Sequence, residues 1–164
     1  MAVLGIAWTY DFQRRRTHMK RIARLTSLAT LLTLSVPALA APIEAVMYKN
    51  PNCNCCDAYA TYLEQNGFRV ELKPTNKLTR ISHDAGVPDA LEGCHTIMVD
   101  GYVVDGLVPV GIVKKLLVER PAITGITLAD MPSGAPGMPG PKAGPFMIYA
   151  FTKEGKAPTV YAVE

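Results

Sequence analysis

The 164-residue sequence contains none of the short motifs that mark common hydrolases and nucleotide-binding enzymes. It has no glycine-rich phosphate loop, no His-Glu-x-x-His zinc motif and no pair of carboxylates in a catalytic pattern. No candidate nucleophile is accompanied by a base, and no segment is repeated. The sequence therefore gives no support to hydrolytic chemistry and directs attention to binding or redox functions.

A hydrophobic run long enough to span a membrane is also missing. The apolar residues 25–36 fall short of the roughly 20 that a transmembrane helix needs. They follow a basic cluster and precede Ala38-Leu39-Ala40, which is the order of a secretory signal peptide with its cleavage site. We predict a signal peptide over residues 1–40, cleaved near Ala40, with an uncleaved anchor as the alternative. Residues 1–18 do not fit this pattern, so Met19 is a candidate for the true translation start.

The mature domain, residues 41–164, lacks a surplus of positive charge. The whole chain has 17 Lys and Arg against 14 Asp and Glu, but residues 1–40 hold six of these basic residues and one of the acids. The remainder has a net charge of about −2, and no basic patch is left for nucleic acid. We expect an exported protein that contacts neither nucleic acid nor, after cleavage, the membrane.

Four cysteines are the main chemical feature that the sequence does contain: Cys53, Cys55, Cys56 and Cys94. An even number of cysteines in an exported protein usually indicates disulfides. Three cysteines within four residues, however, cannot join distant segments, and a disulfide between adjacent residues is strained. Soft metal ions select clustered thiolates. We therefore predict that all four cysteines are metal ligands.

The apolar periodicity predicts an α/β fold. Short strands at residues 44–48, 68–72, 96–99 and 102–104 alternate with helices at 54–66, at 76–85 and from 109 to Pro121. Asn52 or Asn54 is expected to cap the first helix, and the Asp100-Gly101 pair predicts a hairpin. The resulting order, βαβαββα, suits a thioredoxin-like domain.

The last third of the chain is predicted to contain two further features. Residues 130–145 are rich in proline and glycine, carry Met131 and Met138, and are expected to form a loop. Residues 146–151 and 158–163 flank a turn and are expected to form a C-terminal hairpin.

The Cys53-Asn54-Cys55-Cys56 motif opens the first predicted helix, where backbone amides and the helix dipole stabilise thiolates. Cys53 and Cys56 form the C-x-x-C pair of thioredoxin-type oxidoreductases. The third thiol, Cys55, would compete for the mixed disulfide in that chemistry, whereas a metal site uses every added thiolate. Cys94 precedes a strand that the topology brings towards the same helix, so it can complete the site.

Two metals remain candidates. Zinc takes four ligands in a tetrahedron, so a zinc-stabilised structural module is one alternative. Crowded thiolates suit more than one bridged Cu(I), and methionine thioether binds Cu(I) but hardly zinc. We predict Cu(I), in a polynuclear cluster, with His95, Met131 and Met138 as further candidate ligands. Neighbours on a strand point to opposite faces, so His95 can share a site with Cys94 only where the backbone is irregular.

The C-x-C-C motif, Gly93-Cys94-His95-Thr96 and the Met131-Pro132-Ser133-Gly134-Ala135-Pro136-Gly137-Met138 segment together resemble a known family. It comprises small periplasmic metal-binding proteins, formerly a domain of unknown function, and includes the CopG-type copper-resistance proteins. The resemblance covers about residues 44–140. The family pattern leads us to expect a histidine before the Val-Pro of the third helix, where this chain has Leu107.

The resemblance implies a thioredoxin-like fold and a copper site built on the four cysteines. It also implies a role in copper resistance by sequestration or transfer, with periplasmic copper-efflux or copper-oxidising proteins as possible partners. A thioredoxin-type thiol–disulfide or copper oxidoreductase is the alternative that would make the protein an enzyme.

Overall fold

Seven strands form one mixed sheet in residues 41–164, the part of the chain that the computed structural model describes. The strands are β1 Ile43–Lys49, β2 Phe68–Pro74, β3 His95–Val99, β4 Tyr102–Gly106, β5 Gly125–Leu128, β6 Met147–Phe151 and β7 Thr159–Val163. The helices are α1 Asn54–Gln65, α2 Leu78–Asp84 and α3 Val110–Glu119, with a short 3-10 helix at Asp89–Leu91. The predicted signal peptide and alternative start lie outside the described residues.

The strand order is β2-β1-β3-β4-β5-β6-β7. β1 runs parallel to β2 and antiparallel to β3, which continues into the antiparallel β3–β4 hairpin. β5 pairs parallel to β4, and β6 and β7 follow as antiparallel neighbours. The α/β class is confirmed, and the first seven helices and strands follow the predicted order. β5 was not predicted, and it joins the C-terminal hairpin to the same sheet.

The sequence signals for turns are borne out at two places. Asp100 and Gly101 both have positive φ angles, 46° and 84°, as a two-residue hairpin turn requires. Gly67 follows α1 with a φ of +92°. The predicted asparagine cap is wrong, because the residue that caps α1 is Cys53 and it makes no side-chain capping bond.

The main core lies between the sheet and helices α1 and α3. Met47, Ile97 and Val104 from the strands meet Tyr59 of α1 and Leu116 of α3 there. A smaller apolar cluster, formed by Ala85, Val87, Val103 and Phe151, lies where the chain leaves α2. Among residues 41–164, no helix combines the length and the apolarity needed to cross a bilayer. The site described next lies at the N-terminal end of α1.

Candidate metal centre

The register of the sheet brings the two cysteine segments together. β1 and β3 are antiparallel and Lys49 is paired with His95, so the point where β1 ends is the point where β3 begins. Cys53 to Cys56 follow β1, and Cys94 directly precedes β3. The Asn50 amide donates a long hydrogen bond of 3.5 Å to the Cys94 carbonyl and links the two segments. Strand pairing therefore explains why residues about 40 apart in sequence share one site.

All four cysteine sulfurs lie within 4.8 Å of one another. Cys53 and Cys56 are joined by a disulfide, and Cys55 and Cys94 are free thiols. The Sγ of Cys55 lies 3.2 Å from that of Cys53 and 3.6 Å from that of Cys94. The Cys56 and Cys94 sulfurs are 3.3 Å apart. The four cysteines thus lie together, as predicted, but in this structure Cys53 and Cys56 are bonded to each other.

The surroundings of Cys94 favour its protonated form while no metal is bound. Burial raises the pKa of the Cys94 thiol to about 12, and the adjacent Cys55 thiol adds to the rise. A metal ion that binds here must displace this proton, since a thiolate is the ligand.

His95 lies closer to the cluster than strand alternation suggested. Cys94 is in a bend just outside β3, so the alternation does not apply to this pair, and the Nδ1 of His95 is 3.7 Å from the Cys94 sulfur. The ring is fully buried beside Tyr59, at 5.0 Å between ring centroids. Within the described residues its Nε2 has no hydrogen-bond partner. Burial lowers the pKa of His95 to about 4, so the imidazole is neutral, the form that binds metals.

The proline- and glycine-rich segment packs against the start of α1. A side chain at Gly137 would come within 2.7 Å of the Cys55 carbonyl oxygen, which shows how closely the two backbones approach. Met131 and Met138 are partly buried against the main core. Met138 directly follows Gly137 and therefore lies near the cysteine-bearing end of α1, whereas no contact with the cysteines within the described residues places Met131 there.

Lys49 is a buried cation beside the cysteines that sequence reasoning did not single out. Its side chain is 4% exposed and its Nζ lies 2.9 Å from a carboxylate oxygen of Asp57, in the first turn of α1. The same ammonium donates to the Cys53 carbonyl at 3.3 Å. Strand alternation offered the missing signal, since Lys49 follows buried Met47 by two residues and so faces the same side.

Asp105 and its partners were also missed, because the predicted strand stopped at Val104. Asp105 is fully buried in β4 and contacts Gly93 and Thr96, the two residues that flank Cys94 and His95. A carboxyl group inside an otherwise apolar strand is the signal that could have identified it.

The donor set fits a soft thiophilic metal once the disulfide is reduced. Three of the sulfur–sulfur distances, at 3.2, 3.3 and 3.6 Å, approach the roughly 3.8 Å edge of a tetrahedral thiolate site with bonds near 2.3 Å. The imidazole of His95 is neutral and its Nδ1 lies 3.7 Å from the Cys94 sulfur, so it could add a nitrogen ligand, although it is not one of the four clustered groups. Reduction of the Cys53–Cys56 bond would therefore supply four thiol groups, each of which can ligate once a metal ion displaces its proton.

Comparison with known proteins gives two kinds of match. Residues 91–138 match the family model described as "Protein of unknown function, DUF411". Two solved structures, described as "Copper resistance protein copG- Form 2" and "Copper resistance protein copG- Form 1", are each 31% identical to the chain with a TM-score of 0.69. Each match covers 75% of this chain and 98% of the other. A search of curated proteins finds no match.

Proposed function

Because this chain belongs to the family of the copper resistance protein CopG, we propose that it binds Cu(I) through Cys53, Cys55, Cys56 and Cys94. In this proposal copper is the cargo of a periplasmic protein that sequesters the ion or transfers it to other copper-handling proteins. The single observation that carries the proposal is the convergence of four sulfurs within 4.8 Å.

The choice of Cu(I) follows from the chemistry of the donors. Thiolate and thioether are soft ligands that select Cu(I), and the methionines of the 130–145 segment would have no use in a zinc site. Thiolates as crowded as Cys53, Cys55 and Cys56 can each bridge two ions, so we propose more than one Cu(I) per chain. Zinc in a four-cysteine structural site is the alternative to be excluded.

The remaining parts of the proposal concern location and fold. A signal peptide over residues 1–40 would deliver residues 41–164 to the periplasm. The parallel β1–α1–β2 unit beside an antiparallel β3–β4 hairpin, with the cysteines at the start of α1, supports a thioredoxin-like domain.

A thiol–disulfide oxidoreductase is the second candidate function, and the Cys53–Cys56 disulfide favours it. The raised pKa keeps Cys94 mostly protonated, but its small thiolate fraction could attack the Cys56 sulfur, 3.3 Å away, forming a Cys94–Cys56 bond and releasing Cys53 as a thiolate. Both candidate functions use the same sulfur atoms, so only an experiment can distinguish between them.

The test is an anaerobic titration with Cu(I) and Zn(II) in competition, after the disulfide is reduced by a dithiol reductant that is then removed. The protein is purified after expression of the full-length chain, which also allows its N-terminus to be sequenced. We expect two or more tightly held Cu(I) per chain, a loss of copper in Cys55→Ser, and an N-terminus at residue 41.

Two outcomes would contradict the proposal. Retention of zinc in preference to copper, with unfolding on chelation, would identify a structural zinc module. Weak copper binding, together with reduction of a disulfide substrate that is lost in Cys53→Ser, would identify an oxidoreductase.

A further inference from the structure

A chain of buried polar groups leads from α2 to the segment that carries Cys94. The Ser82 hydroxyl lies 3.1 Å from the Leu78 carbonyl oxygen and 2.6 Å from the Thr96 hydroxyl. The Thr96 hydroxyl lies 2.8 Å from Oδ2 of Asp105. Oδ1 of Asp105 accepts a hydrogen bond from the Gly93 amide at 2.6 Å. Ser82, Thr96 and Asp105 are each at most 1% exposed, so water does not compete with these contacts.

The number of protons available to these buried polar groups indicates that one proton lies on the carboxyl group of Asp105. A carbonyl only accepts, so the contact with Leu78 uses the single proton of Ser82. The Ser82–Thr96 contact then uses the single proton of Thr96. An ionised Asp105 would take the Thr96 proton at Oδ2 and leave the 2.6 Å contact between Ser82 and Thr96 without a donor. All three contacts are hydrogen bonds only if Asp105 itself donates a proton to Thr96. We propose that Asp105 is a protonated carboxylic acid and a positioning residue for Cys94, which it orients through the Gly93 amide.

The electrostatic surroundings agree with a neutral acid. No salt bridge reaches Asp105 within residues 41–164, and an isolated buried carboxylate is costly. The titratable group whose charge acts on Asp105 is Glu92, and it would repel a second negative charge. Burial raises the pKa of Asp105 to about 7, in the same direction.

The geometry around Gly93 shows how Asp105 can position the thiol. A Cβ at Gly93 would come within 2.8 Å of Oδ1 and within 3.0 Å of both the Cα and the amide nitrogen of Gly106. The backbone one residue before Cys94 is therefore pressed directly onto Asp105 and held by the 2.6 Å hydrogen bond. A neutral acid can do this without a negative charge beside a site that will itself hold thiolates.

The test combines infrared spectroscopy with metal binding, and its second part rests on the proposed function. We expect the metal-free, reduced wild-type protein at pH 5 to show the carbonyl stretch of a buried carboxylic acid. The band should disappear at pH 9 and in Asp105→Asn. Absence of this band at pH 5 would overturn the protonated state.

Copper binding then tests the positioning role. An asparagine amide can donate to Thr96 and accept from Gly93, so Asp105→Asn should hold Cu(I) about as tightly as the wild type. Asp105→Ala can do neither and should lose tenfold or more in Cu(I) affinity, measured by competition with a chelator. Equal Cu(I) affinity in wild type and Asp105→Ala would overturn the positioning role. If Asp105→Ala fails to fold, a large loss of Cu(I) affinity in Asp105→Asn would overturn it instead.

The two proposals fail separately. A wild-type protein that binds no Cu(I) would overturn the proposed function, whereas the infrared band would still decide the state of Asp105.

Discussion

Two buried residues with ionisable side chains, Lys49 and Asp105, lie beside the cysteine cluster, and the fold accommodates them in different ways. The Lys49 ammonium keeps its charge and pairs with Asp57, whose side chain is 52% exposed. Asp105 has no cation beside it in the described part of the chain and is proposed to lose its charge by protonation. The first arrangement ties the end of β1 to the first turn of α1, and the second ties β4 to the segment before β3.

The state of Asp105 has a consequence for stability that depends on pH. Its pKa is raised from 3.8 to about 7 in the folded protein, so between these values the folded state binds a proton that the unfolded state does not. The contribution of this extra bound proton to the free energy of unfolding is fully present below the unfolded pKa of Asp105 and is lost as pH rises through about 7. We expect wild type to lose roughly 1.4 kcal/mol per pH unit relative to Asp105→Asn between about pH 4 and 7.

Urea unfolding of the metal-free, reduced proteins over pH 4.5 to 8 measures this difference. The comparison with Asp105→Asn removes the contributions of all other carboxyl groups. Parallel stability curves for the two proteins would contradict the prediction.

The Lys49–Asp57 pair predicts an asymmetry between its two partners. Asp57→Ala leaves a buried ammonium with only the Cys53 carbonyl, so we expect a loss of about 1–2 kcal/mol, moderated by the exposure of the Asp57 site. Lys49→Met removes the charge and fills the same space, so it should cost less. Urea unfolding measures both. Glu44→Ala breaks the exposed pair with Arg69 and is the control, with an expected cost of about 0–1 kcal/mol. A larger loss of stability in Lys49→Met than in Asp57→Ala would refute the asymmetry.

At the scale of elements, the segment after β5 packs against the helix end that carries the cysteines. Gly137 has a φ of +91° and lies against the Cys55 carbonyl. The Ser133 hydroxyl lies 3.2 Å from the Pro139 carbonyl oxygen and 3.0 Å from that of Pro141, and its single proton can be donated to either. These contacts fold the segment onto itself and onto the start of α1. The proline- and glycine-rich composition predicted a loop, and the structure adds that this loop covers the helix end that carries the cysteines.

Gly137→Ala tests this contact, and Gly67→Ala is a matched control. The two glycines have nearly equal φ angles, +91° and +92°, but a Cβ at Gly67 would meet nothing within 4 Å. We expect Gly67→Ala to cost about 1–2 kcal/mol through backbone strain alone. Gly137→Ala should cost about 1–3 kcal/mol more, because its Cβ would press on the Cys55 carbonyl. Equal losses in urea unfolding, with unchanged copper binding, would show that the contact is unimportant.

Much of this organisation could be predicted from local signals, and the exceptions have physical causes. The Asp100-Gly101 turn and α1 follow from turn chemistry and periodicity, which act over a few residues. β5 was missed because Gly125–Leu128 is only four residues long and is defined by pairing with β4 and β6. The convergence of the cysteines was predictable as a pattern, whereas the disulfide and the roles of Lys49 and Asp105 depend on three-dimensional neighbours.

At the scale of the molecule, β5 makes the C-terminal hairpin part of the main sheet. Phe146 and Ile148 are buried in the same core as α1 and α3, and the Glu164 amide and carbonyl pair with those of Phe146. The hairpin is therefore expected to contribute to the stability of the whole domain.

Truncation after residue 145 tests this view. Removal of β6 and β7 would expose β5 as an unpaired edge and uncover the core around Ile126, so we expect an insoluble or unfolded product. Circular dichroism and thermal unfolding measure the result. Val160→Thr in β7 is the control, because Val160 is 52% exposed, and it should leave the melting temperature nearly unchanged. A soluble, cooperatively folded truncation product would show that the hairpin is separable.

The short spacing of the Cys53–Cys56 disulfide has a consequence for chain entropy. The two residues are only three apart, so their bond restricts the unfolded chain little and stabilises the fold by roughly 2 kcal/mol in the loop-entropy model. A bond between Cys56 and Cys94, 38 residues apart, would contribute roughly 4 kcal/mol. The fold is thus expected to depend less on this bond than on a bond to Cys94, and we expect the domain to remain folded when the bond that occupies its candidate metal ligands is reduced.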